Sequence, residues 1–517
     1  MNQNFYSLCR QNFNLQKTFI DTATAAFTYQ DLNDCSAARA HWLVNAGLKP
    51  GDRVIVQVQK SAQNLFWYFA CLRAGLIYLP LNTAYQPQEL EYFTGNAKPA
   101  LIICDPVQRT IFESIATCQI ETLNPSGEFS SQLPESEEFH DVDVSSDDVA
   151  VILYTSGTTG KPKGAMISHG NLIANATTLT QVWQWQSDDV MLHALPIFHI
   201  HGLFVATHLP VLNSSTILFL DRFSPESVIQ ALPKATVYMG VPTNYTRLLQ
   251  DERFNQATCG NMRLFTSGSA PLLKQTFEQM KNQTGHQIVE RYGMTETGMN
   301  TSNPIAGVRK AGTVGPPLPG VETRILDDSD KPVGIDSPGN LLVRGENVFQ
   351  GYWQLPEKTA EEFTADGFFR TGDVAAIDSD GYISIVGRDK DMVISGGLNI
   401  YPKEIEAIID RIDGVLESAV IGTPHSDFGE AVTAIIVLER NVLEDSVLED
   451  SVLEDKVLED KVLEDKRLDG EAIMVELRSQ LASFKLPKQI HFSDALPRNT
   501  MGKVQKNVLR DTYNKPA

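Results

Sequence analysis

The chain has 517 residues, long enough for more than one domain with a buried core. Hydrophobic residues make up 42% and charged residues 21%, which is typical of globular proteins rather than disordered ones. Acidic residues outnumber basic ones 64 to 43, and the net charge of −21 disfavours nucleic acid or an anionic membrane surface as a partner.

The sequence also argues against membrane insertion and against a disulfide framework. No apolar run approaches the ~20 residues that cross a bilayer, and the N-terminal segment lacks the apolar core of a secretory signal. The six cysteines are scattered, without a Cys-x-x-Cys pair, which favours a reducing compartment. We therefore expect a cytoplasmic protein without membrane insertion.

The N-terminal part alternates helical and strand-like patterns, which predicts an α/β fold. Helices are predicted at 32–46 and 64–74, and strands at 52–58, 101–104 and 149–154. The last of these strands is apolar enough to be buried on both faces. Residues 124–148 are rich in proline, serine and acidic residues and are predicted to form a connecting loop.

A polar stretch near residue 389 marks a predicted domain boundary. It separates a large N-terminal domain, residues 1–389, from a small C-terminal α/β domain, residues 390–517. In the small domain the patterns predict helices at 404–411 and 471–482 and a strand at 431–438.

Residues 442–466 are five acidic pentads, Val-Leu-Glu-Asp-Ser twice and Val-Leu-Glu-Asp-Lys three times. A five-residue period gives neither a helix nor a strand a constant apolar face. We therefore interpret the pentads as a solvated insertion loop of the C-terminal domain, with a functional repeat as the alternative.

A glycine-rich loop, Tyr154-Thr-Ser-Gly-Thr-Thr-Gly-Lys-Pro-Lys-Gly164, follows the predicted buried strand. Glycines let the backbone approach an anion, hydroxyls donate hydrogen bonds to phosphate oxygens, and lysine offsets the charge. The spacing is not that of the usual nucleotide-triphosphatase loop, and a flexible turn is the structural alternative. The predicted phosphate-binding residues are Thr155, Ser156, Gly157, Thr158, Thr159, Gly160 and Lys163.

This loop resembles the phosphate-binding signature of the adenylate-forming enzymes, which include acyl- and aryl-CoA synthetases, luciferases and peptide-synthetase adenylation domains. Further motifs follow in the family's order, at residues 267–271, 290–297, 369–373 and 497–503. The resemblance covers nearly the whole chain except the pentads. It implies a large N-terminal domain of layered sheets and helices and a small, mobile C-terminal α/β domain.

The resemblance implies a nucleotide site built from several of these motifs. The adenine would lie against Tyr292, since an aromatic ring can stack on a purine, with Gly293 and the small residues Gly268, Ser269 and Ala270. Thr295 would donate a hydrogen bond to the α-phosphate, and Glu296 would bind Mg²⁺. Asp373 would accept hydrogen bonds from the two ribose hydroxyls, with Arg388 nearby.

In the C-terminal domain the resemblance implies a hinge at Lys390, about which the domain turns between two half-reactions. Ser395, Gly396 and Gly397 would line the tunnel for the pantetheine arm of coenzyme A. Lys503 would be the catalytic lysine, because an ammonium can bridge the substrate carboxylate and the α-phosphate. The pentads lie between the hinge and Lys503 and are the chief departure from the family pattern.

Two features indicate which acid is activated. His199 and His201 are separated by one residue, so in an extended segment both would point to one side and Ile200 to the other. No third ligand is evident for a metal at these histidines. Arg291 stands where aryl- and fatty-acyl-CoA synthetases usually have glycine, and its guanidinium can hold a second carboxylate.

This combination resembles the malonyl-CoA synthetases. The resemblance implies that Arg291 and His201 hold the distal carboxylate, that His199 lies beside the carboxylate being activated, and that Ile200 and Met299 limit substituents on the central carbon. The expected reaction joins malonate to coenzyme A with ATP and Mg²⁺, through a malonyl-adenylate, releasing AMP and pyrophosphate.

Other functions stay open on the sequence alone. The same chemistry could act on methylmalonate, oxalate or a short monocarboxylate. A domain that loads a carrier protein is disfavoured, since the sequence ends soon after Lys503 without a carrier domain. An inactive homologue is expected to lack Lys503, Glu296 or Asp373, and all three residues are present. The oligomeric state does not follow from the sequence.

Overall fold

The computed structural model of the protein describes all residues except 1, 136, 156–161, 389–390, 396–397, 426–428, 440–467, 482, 500–501 and 515–517. The chain divides into two compact units. The first comprises Met1–Arg324, Leu342–Thr371 and Asp378–Ile383, and the second comprises Ile325–Leu341, Gly372–Ile377 and Ser384–Ala517. The predicted domain boundary at 389/390 lies outside the described residues and stays a prediction.

Strands and helices alternate along most of the described chain. The strands are β1 (Thr18–Asp21), β2 (Ala26–Thr28), β3 (Arg53–Gln57), β4 (Ile77–Pro80), β5 (Leu101–Cys104), β6 (Gln119–Thr122), β7 (Val149–Thr155), β8 (Lys163–Ser168), β9 (Val190–His193), β10 (Thr216–Phe219), β11 (Val237–Gly240), β12 (Leu264–Ser267), β13 (Val289–Met294), β14 (Gly298–Ser302), β15 (Glu322–Leu326), β16 (Gly339–Arg344), β17 (Gly351–Tyr352), β18 (Phe369–Ile377), β19 (Ile383–Arg388), β20 (Val393–Ser395), β21 (Leu398–Ile400), β22 (Val415–His425), β23 (Gly429–Leu438) and β24 (Gln489–Phe492).

The structure describes fourteen α-helices, and all except Pro356–Glu362 bury at least one residue. They are α1 (Phe5–Arg10), α2 (Tyr29–Asn45), α3 (Ala62–Arg73), α4 (Pro87–Ala97), α5 (Arg109–Ile115), α6 (His169–Val182), α7 (Ala206–Leu212), α8 (Pro225–Ala231), α9 (Pro242–Leu249), α10 (Lys274–Thr284), α11 (Pro356–Glu362), α12 (Pro402–Ile409), α13 (Gly470–Gln480) and α14 (Lys506–Tyr513). In the part of the chain that the structure describes, none of them combines the length and the apolar character that a bilayer crossing needs.

The first unit contains two large sheets. One has seven strands in the order β17-β8-β7-β4-β3-β5-β6, in which β3 to β7 pair in parallel and β8 is antiparallel to both β7 and β17. The other has eight strands in the order β14-β13-β12-β11-β9-β10-β1-β2, with antiparallel strands only at its two edges. In parallel sheets of this kind, ligands bind at the carboxyl ends of the strands.

The second unit has a sheet of its own. Its strands follow the order β21-β20-β23-β22, and β24 pairs in parallel with β23. Apolar side chains of α12, α13 and the sheet form its core, including Ile405, Ile409, Val432, Ile436 and Ile473. The fold is thus a mixed α/β fold, as the sequence predicted.

Most predicted elements are present, with ends shifted by a few residues. The helix predicted at 32–46 spans Tyr29–Asn45, because Thr28 and Asp31 form a capping box that starts it earlier. The strand predicted at 101–104 has those bounds. The described part of residues 124–148 contains neither helix nor strand, as expected.

The end of this connecting loop is held by a buried ion pair. Arg73 Nε donates to Asp141 Oδ1 at 2.7 Å, and the two side chains are only 1% and 2% exposed. The same guanidinium donates to the carbonyl oxygens of Asn33 and Phe139 at 2.7 and 3.0 Å. The loop therefore contributes to the interior although its sequence is that of a surface segment.

The pentads lie outside the described residues.

Candidate active site

The carboxylate of Glu296 lies in a buried pocket at the ends of several strands. Its Oε1 accepts hydrogen bonds from the hydroxyls of Thr155, at the end of β7, and Tyr352, in β17, both at 3.2 Å. Glu296 is 5% exposed. Burial raises the pKa of Glu296 above the ordinary carboxyl value, although these hydrogen bonds and the Lys163 cation oppose the rise.

Lys163, the first residue of β8, brings a positive charge to the same pocket. Its Nζ lies 3.2 Å from Glu362 Oε1 and 4.0 Å from the centroid of the Tyr352 ring. Thr155 and Lys163 are partners across β7 and β8. Two of the predicted phosphate-binding residues therefore lie near Glu296.

Tyr352 and Glu362 belong to this pocket, and the sequence reasoning missed both. They lie more than fifty residues beyond Glu296 in the sequence, and neither stands in a glycine-rich or repeated pattern. No local signal distinguishes Glu362 from the neighbouring acids of α11.

Several predicted site residues lie outside the described residues. They are the phosphate-loop residues Ser156, Gly157, Thr158, Thr159 and Gly160, the hinge Lys390, and Gly396 and Gly397 of the predicted pantetheine loop.

The predicted adenine-binding segment after β12 lies directly against β13. A Cβ atom at Gly268 would lie 2.5 Å from Arg291 Cζ, so only glycine leaves room for this guanidinium. Ser269 has a φ of 72°, a conformation that non-glycine residues rarely adopt and that is concentrated at functional sites. Ser269 and Ala270 are partly exposed.

Tyr292 and Gly293 lie in β13, and Thr295 lies in the turn that leads to β14. A Cβ at Gly293 would lie 2.1 Å from the carbonyl oxygen of Gly298. The close approach of the two strands therefore requires glycine there. Tyr292, Gly293 and Thr295 are each partly exposed, whereas the neighbouring Arg291 is buried.

Arg291 is a buried cation with unused hydrogen-bond donors. It is 2% exposed, and its Nε and Nη2 atoms have no hydrogen-bond partner among the described residues. Burial lowers the pKa of Arg291 to about 10, so the guanidinium stays charged at neutral pH. Native proteins rarely leave buried charged donors unsatisfied, and such groups therefore indicate a ligand-binding function.

His201 lies next to this cation. It is 2% exposed, its Nδ1 lies 3.4 Å from Ser269 Oγ, and its Nε2 has no hydrogen-bond partner in the described part of the chain. Burial, followed by the nearby Arg291 charge, holds the pKa of His201 well below the ordinary histidine value. At neutral pH the ring is therefore uncharged.

The segment around His201 is helical rather than extended, so the extended geometry assumed for the two histidines was wrong. Ile200 has φ −52° and ψ −38°, and a π-helix begins at His201. In a helix, residues two positions apart do not share a face. Single π-turns occur frequently at functional sites.

The other predicted acid-pocket residues are buried or held by close packing. Ile200 is 7% exposed and Met299 is 1% exposed. The Met299 methyl group lies 2.7 Å from the position of a Cβ at Gly293, which places Met299 over β13. The ring of His199 lies 4.7 Å from that of Phe198.

Three further buried hydroxyls were not predicted. The hydroxyls of Tyr238, Thr266 and Ser267 have no hydrogen-bond partner among the described residues. Ser267 directly precedes Gly268, and Tyr245, whose hydroxyl donates to the Thr266 carbonyl, interacts electrostatically with Arg291.

The remaining predicted residues belong to the second unit. Asp373 lies in β18 and is 4% exposed, Arg388 ends β19, and Ser395 ends β20 and is 8% exposed. Lys503 follows Gly502 in a turn, and its backbone N–H donates to Asn499 Oδ1 at 3.0 Å.

Comparison with protein-family models assigns both parts of the chain. Residues 10–353 match the model of the AMP-binding enzyme family. Residues 404–503 match the model of the AMP-binding enzyme C-terminal domain. The chain belongs to the AMP-binding enzyme family.

Individual relatives agree with this assignment. The chain is 35% identical to the malonate–CoA ligase of Arabidopsis thaliana, over 90% of this chain and 78% of that one. It is 33% identical to a feruloyl-CoA synthase of Amycolatopsis sp, over 94% of each chain. The crystal structure of ATP-bound MatB from Rhodopseudomonas palustris is 47% identical over 99% of both chains, with a TM-score of 0.92.

The raised pKa of Glu296 predicts that Glu296→Gln increases the thermal stability of the protein in a pH-dependent way. Because the folded state holds a proton on this carboxyl more tightly than the unfolded chain does, its ionisation costs stability as the pH rises through the raised pKa. Glutamine keeps the acceptor oxygen but cannot ionise. We therefore expect the ligand-free variant to melt at a higher temperature than wild type at high pH, and the difference to vanish below the ordinary carboxyl pKa of ~4.3.

Thermal melts across this pH range test the prediction. Glu361→Gln is the matched control, because the Glu361 side chain lies on α11 and is 67% exposed. It should show no pH-dependent gain. A Glu296→Gln variant that is no more stable than wild type at high pH contradicts the burial argument.

Proposed function

We propose that this protein joins malonate to coenzyme A at the expense of ATP. In the first half-reaction a malonate carboxylate attacks the α-phosphate of ATP, giving malonyl-adenylate and pyrophosphate. In the second, the thiol of coenzyme A attacks the activated carbonyl and AMP leaves. The mixed anhydride supplies the activation, so the protein's task is to position the reactants and to stabilise charge.

The observation that carries this proposal is the unsatisfied guanidinium of Arg291. A carboxylate can accept hydrogen bonds from both unpartnered nitrogen atoms and compensate the buried charge. The neutral ring of His201 adds a nitrogen that also has no partner in the described chain. An acid with a second carboxylate fits this environment, and the malonate–CoA ligase of Arabidopsis thaliana supports the choice of malonate.

The alternative acids fit the described groups less well. Acetate or hexanoate has one carboxylate, which is consumed by adenylation and leaves Arg291 buried without a counter-charge. Ile200 and Met299 are both buried, and we propose that they restrict a branched acid such as methylmalonate. Oxalate lacks the central carbon that separates the reacting carboxylate from the distal one.

We propose the following roles in the nucleotide site. Thr155 and Lys163, with Ser156 to Gly160, bind phosphate, and Thr295 donates to the α-phosphate. Tyr292, Gly293, Gly268, Ser269 and Ala270 bind adenine, and Asp373 with Arg388 binds ribose. The buried carboxylate of Glu296, with the hydroxyl oxygens of Thr155 and Tyr352 beside it, suits Mg²⁺, which usually takes one or two protein carboxylates. When bound, the metal would offset phosphate charge.

The remaining roles are also proposals. Lys503 stabilises the charge that builds up between carboxylate and α-phosphate, and His199 lies beside the reacting carboxylate. Lys390 is the hinge between domains 1–389 and 390–517, and Ser395 to Gly397 line the pantetheine tunnel. A cytoplasmic location is proposed because all six cysteines are free thiols, as a reducing compartment maintains them.

A panel of acids tests the function directly. Purified protein with ATP, Mg²⁺ and coenzyme A should release AMP with malonate at a higher kcat/KM than with methylmalonate, oxalate, acetate, hexanoate or ferulate. Mass spectrometry of the thioester identifies the product. A higher kcat/KM with acetate, hexanoate or ferulate than with malonate contradicts the proposal.

Arg291→Gly should penalise malonate selectively. Truncating one partner of a buried, hydrogen-bonded charge pair costs at least ~2 kcal/mol, so kcat/KM for malonate should fall by a factor of ~30 or more. The kcat/KM for acetate should change little, because acetate has no distal carboxylate. Arg253→Gly is the control, since that arginine is 56% exposed. An equal loss for both acids would assign Arg291 a purely structural role.

Lys503→Ala should separate the two half-reactions. Pyrophosphate release from ATP and malonate should fall below detection, since the charge stabilisation is lost. Thioester formation from supplied malonyl-adenylate should continue, because another face of the domain serves that step. Arg478→Ala, on an exposed position of α13, should affect neither step. Equal loss of both half-reactions overturns this role for Lys503.

A further inference from the structure

The ammonium group of Lys60 lies among three acceptors. Lys60 follows β3 in the first unit, and its Nζ is 3.1 Å from Nδ1 of His193, 2.9 Å from the His193 carbonyl oxygen and 2.5 Å from the Leu220 carbonyl oxygen. It also lies 4.2 Å from the centroid of the Phe219 ring. An ammonium group has three N–H donors, and these acceptors occupy all of them.

The opposite side of the His193 ring fixes its tautomer. Its Nε2 lies 2.9 Å from the carbonyl oxygen of Gly202, which can only accept, so Nε2 carries a hydrogen. Burial and the Lys60 cation hold the pKa of His193 well below its ordinary value, and the ring is neutral. Its Nδ1 is therefore unprotonated and accepts from Lys60.

The proton in this pair resides on Lys60. In unperturbed peptides lysine is about four pKa units more basic than histidine. Burial lowers the pKa of Lys60, and the charge of Asp221 opposes that effect. An ammonium group can donate to all three acceptors, whereas a neutral amine has only two N–H groups for them, although the His193 carbonyl also accepts from the Leu220 N–H at 3.1 Å. The three surrounding acceptors therefore favour the ammonium form, and in either form Lys60 can donate to Nδ1 of His193.

The bond from His193 to Gly202 closes the base of a loop, residues 193–202. A Cβ at Gly202 would lie 2.1 Å from the carbonyl oxygen of Pro196, so the loop backbone contacts Gly202 directly. The Thr207 hydroxyl donates to the same Gly202 carbonyl at 2.8 Å. The loop carries His199, Ile200 and His201, the residues that our proposed function places at the acid.

We propose that Lys60 and His193 are positioning residues for the acid-binding loop, 193–202. Lys60 selects the Nε2–H tautomer of His193, and that tautomer holds the Gly202 carbonyl and keeps His201 beside Arg291. Neither residue touches the reacting atoms. This inference rests on the proposed function, because it takes the loop 193–202 to bind the acid rather than ATP.

Lys60→Met tests the inference through its separate effects on the KM for the acid and the KM for ATP. It keeps the aliphatic stem and removes the three donors. We expect the KM for the acid to rise about tenfold or more, in line with the loss of hydrogen bonds from a charged group, and the KM for ATP to stay within about twofold. Lys60→Arg, which retains charge and donors, should recover most of the loss. Lys281→Met, at an exposed position of α10, is the control.

A spectroscopic measurement tests the same inference without substrate. In histidine-labelled full-length protein, long-range ¹H–¹⁵N correlation should show His193 as a neutral Nε2–H tautomer, and Lys60→Met should shift its Nδ1 resonance towards that of a non-bonded nitrogen. If Lys60→Met does not fold, His193→Gln, which keeps an amide donor for Gly202, should preserve the acid KM better than His193→Leu.

The outcomes separate this inference from the proposed function. If wild-type protein prefers another acid, the proposed malonate substrate fails, and the comparison of KM values is made with the preferred acid. The positioning role is overturned if Lys60→Met leaves the acid KM unchanged, raises the KM values for acid and ATP equally, or leaves the His193 Nδ1 resonance unshifted.

Discussion

The guanidinium of Arg291 is enclosed by protein, and two of its nitrogen atoms find no acceptor among the described residues. Taking a charge out of water without a partner is costly, and folding alone does not repay it. Two neighbouring residues make room for the guanidinium and for an anion that would bind it. Residue 268 has no side chain, and the imidazole of His201 is neutral, so that no second positive charge competes for an anion.

The hairpin of β13 and β14 joins Arg291 to the proposed nucleotide site. Arg291 lies within β13 and Glu296 follows in the turn, so opposite charges are held five residues apart on one rigid element. The partly exposed Tyr292 lies between them in the sequence. Both charged side chains are buried, and each has an environment that disfavours its ionised form in the absence of ligand. The hairpin therefore carries two buried groups whose ionisation is unfavourable without ligand. An anion bound at Arg291 and a cation bound at Glu296 would each relieve this cost.

Sequence patterns predicted the α/β class and most elements of the first unit, because buried parallel strands are apolar throughout and helices begin at recognisable caps, such as Thr28 with Asp31. The residues that converge at Glu296 were predicted where they belong to glycine-rich motifs. Tyr352 and Glu362 were missed because only the folding of remote strands brings them there. The helical form of Ile200 and His201 was missed for a similar reason, since it depends on the contact between Gly202 and Pro196.

The contact between Gly268 and Arg291 limits the order in which substitutions can accumulate in the proposed acid pocket. Even a single methyl group at residue 268 would overlap the guanidinium, with a separation of 2.5 Å. If residue 268 is enlarged before Arg291 is replaced, the new side chain displaces a buried charged group. If Arg291 is replaced before residue 268 is enlarged, the space that the guanidinium occupied becomes available. Descendants of this protein that adopt an acid without a second carboxylate are therefore expected to diverge more readily through residue 291 than through residue 268.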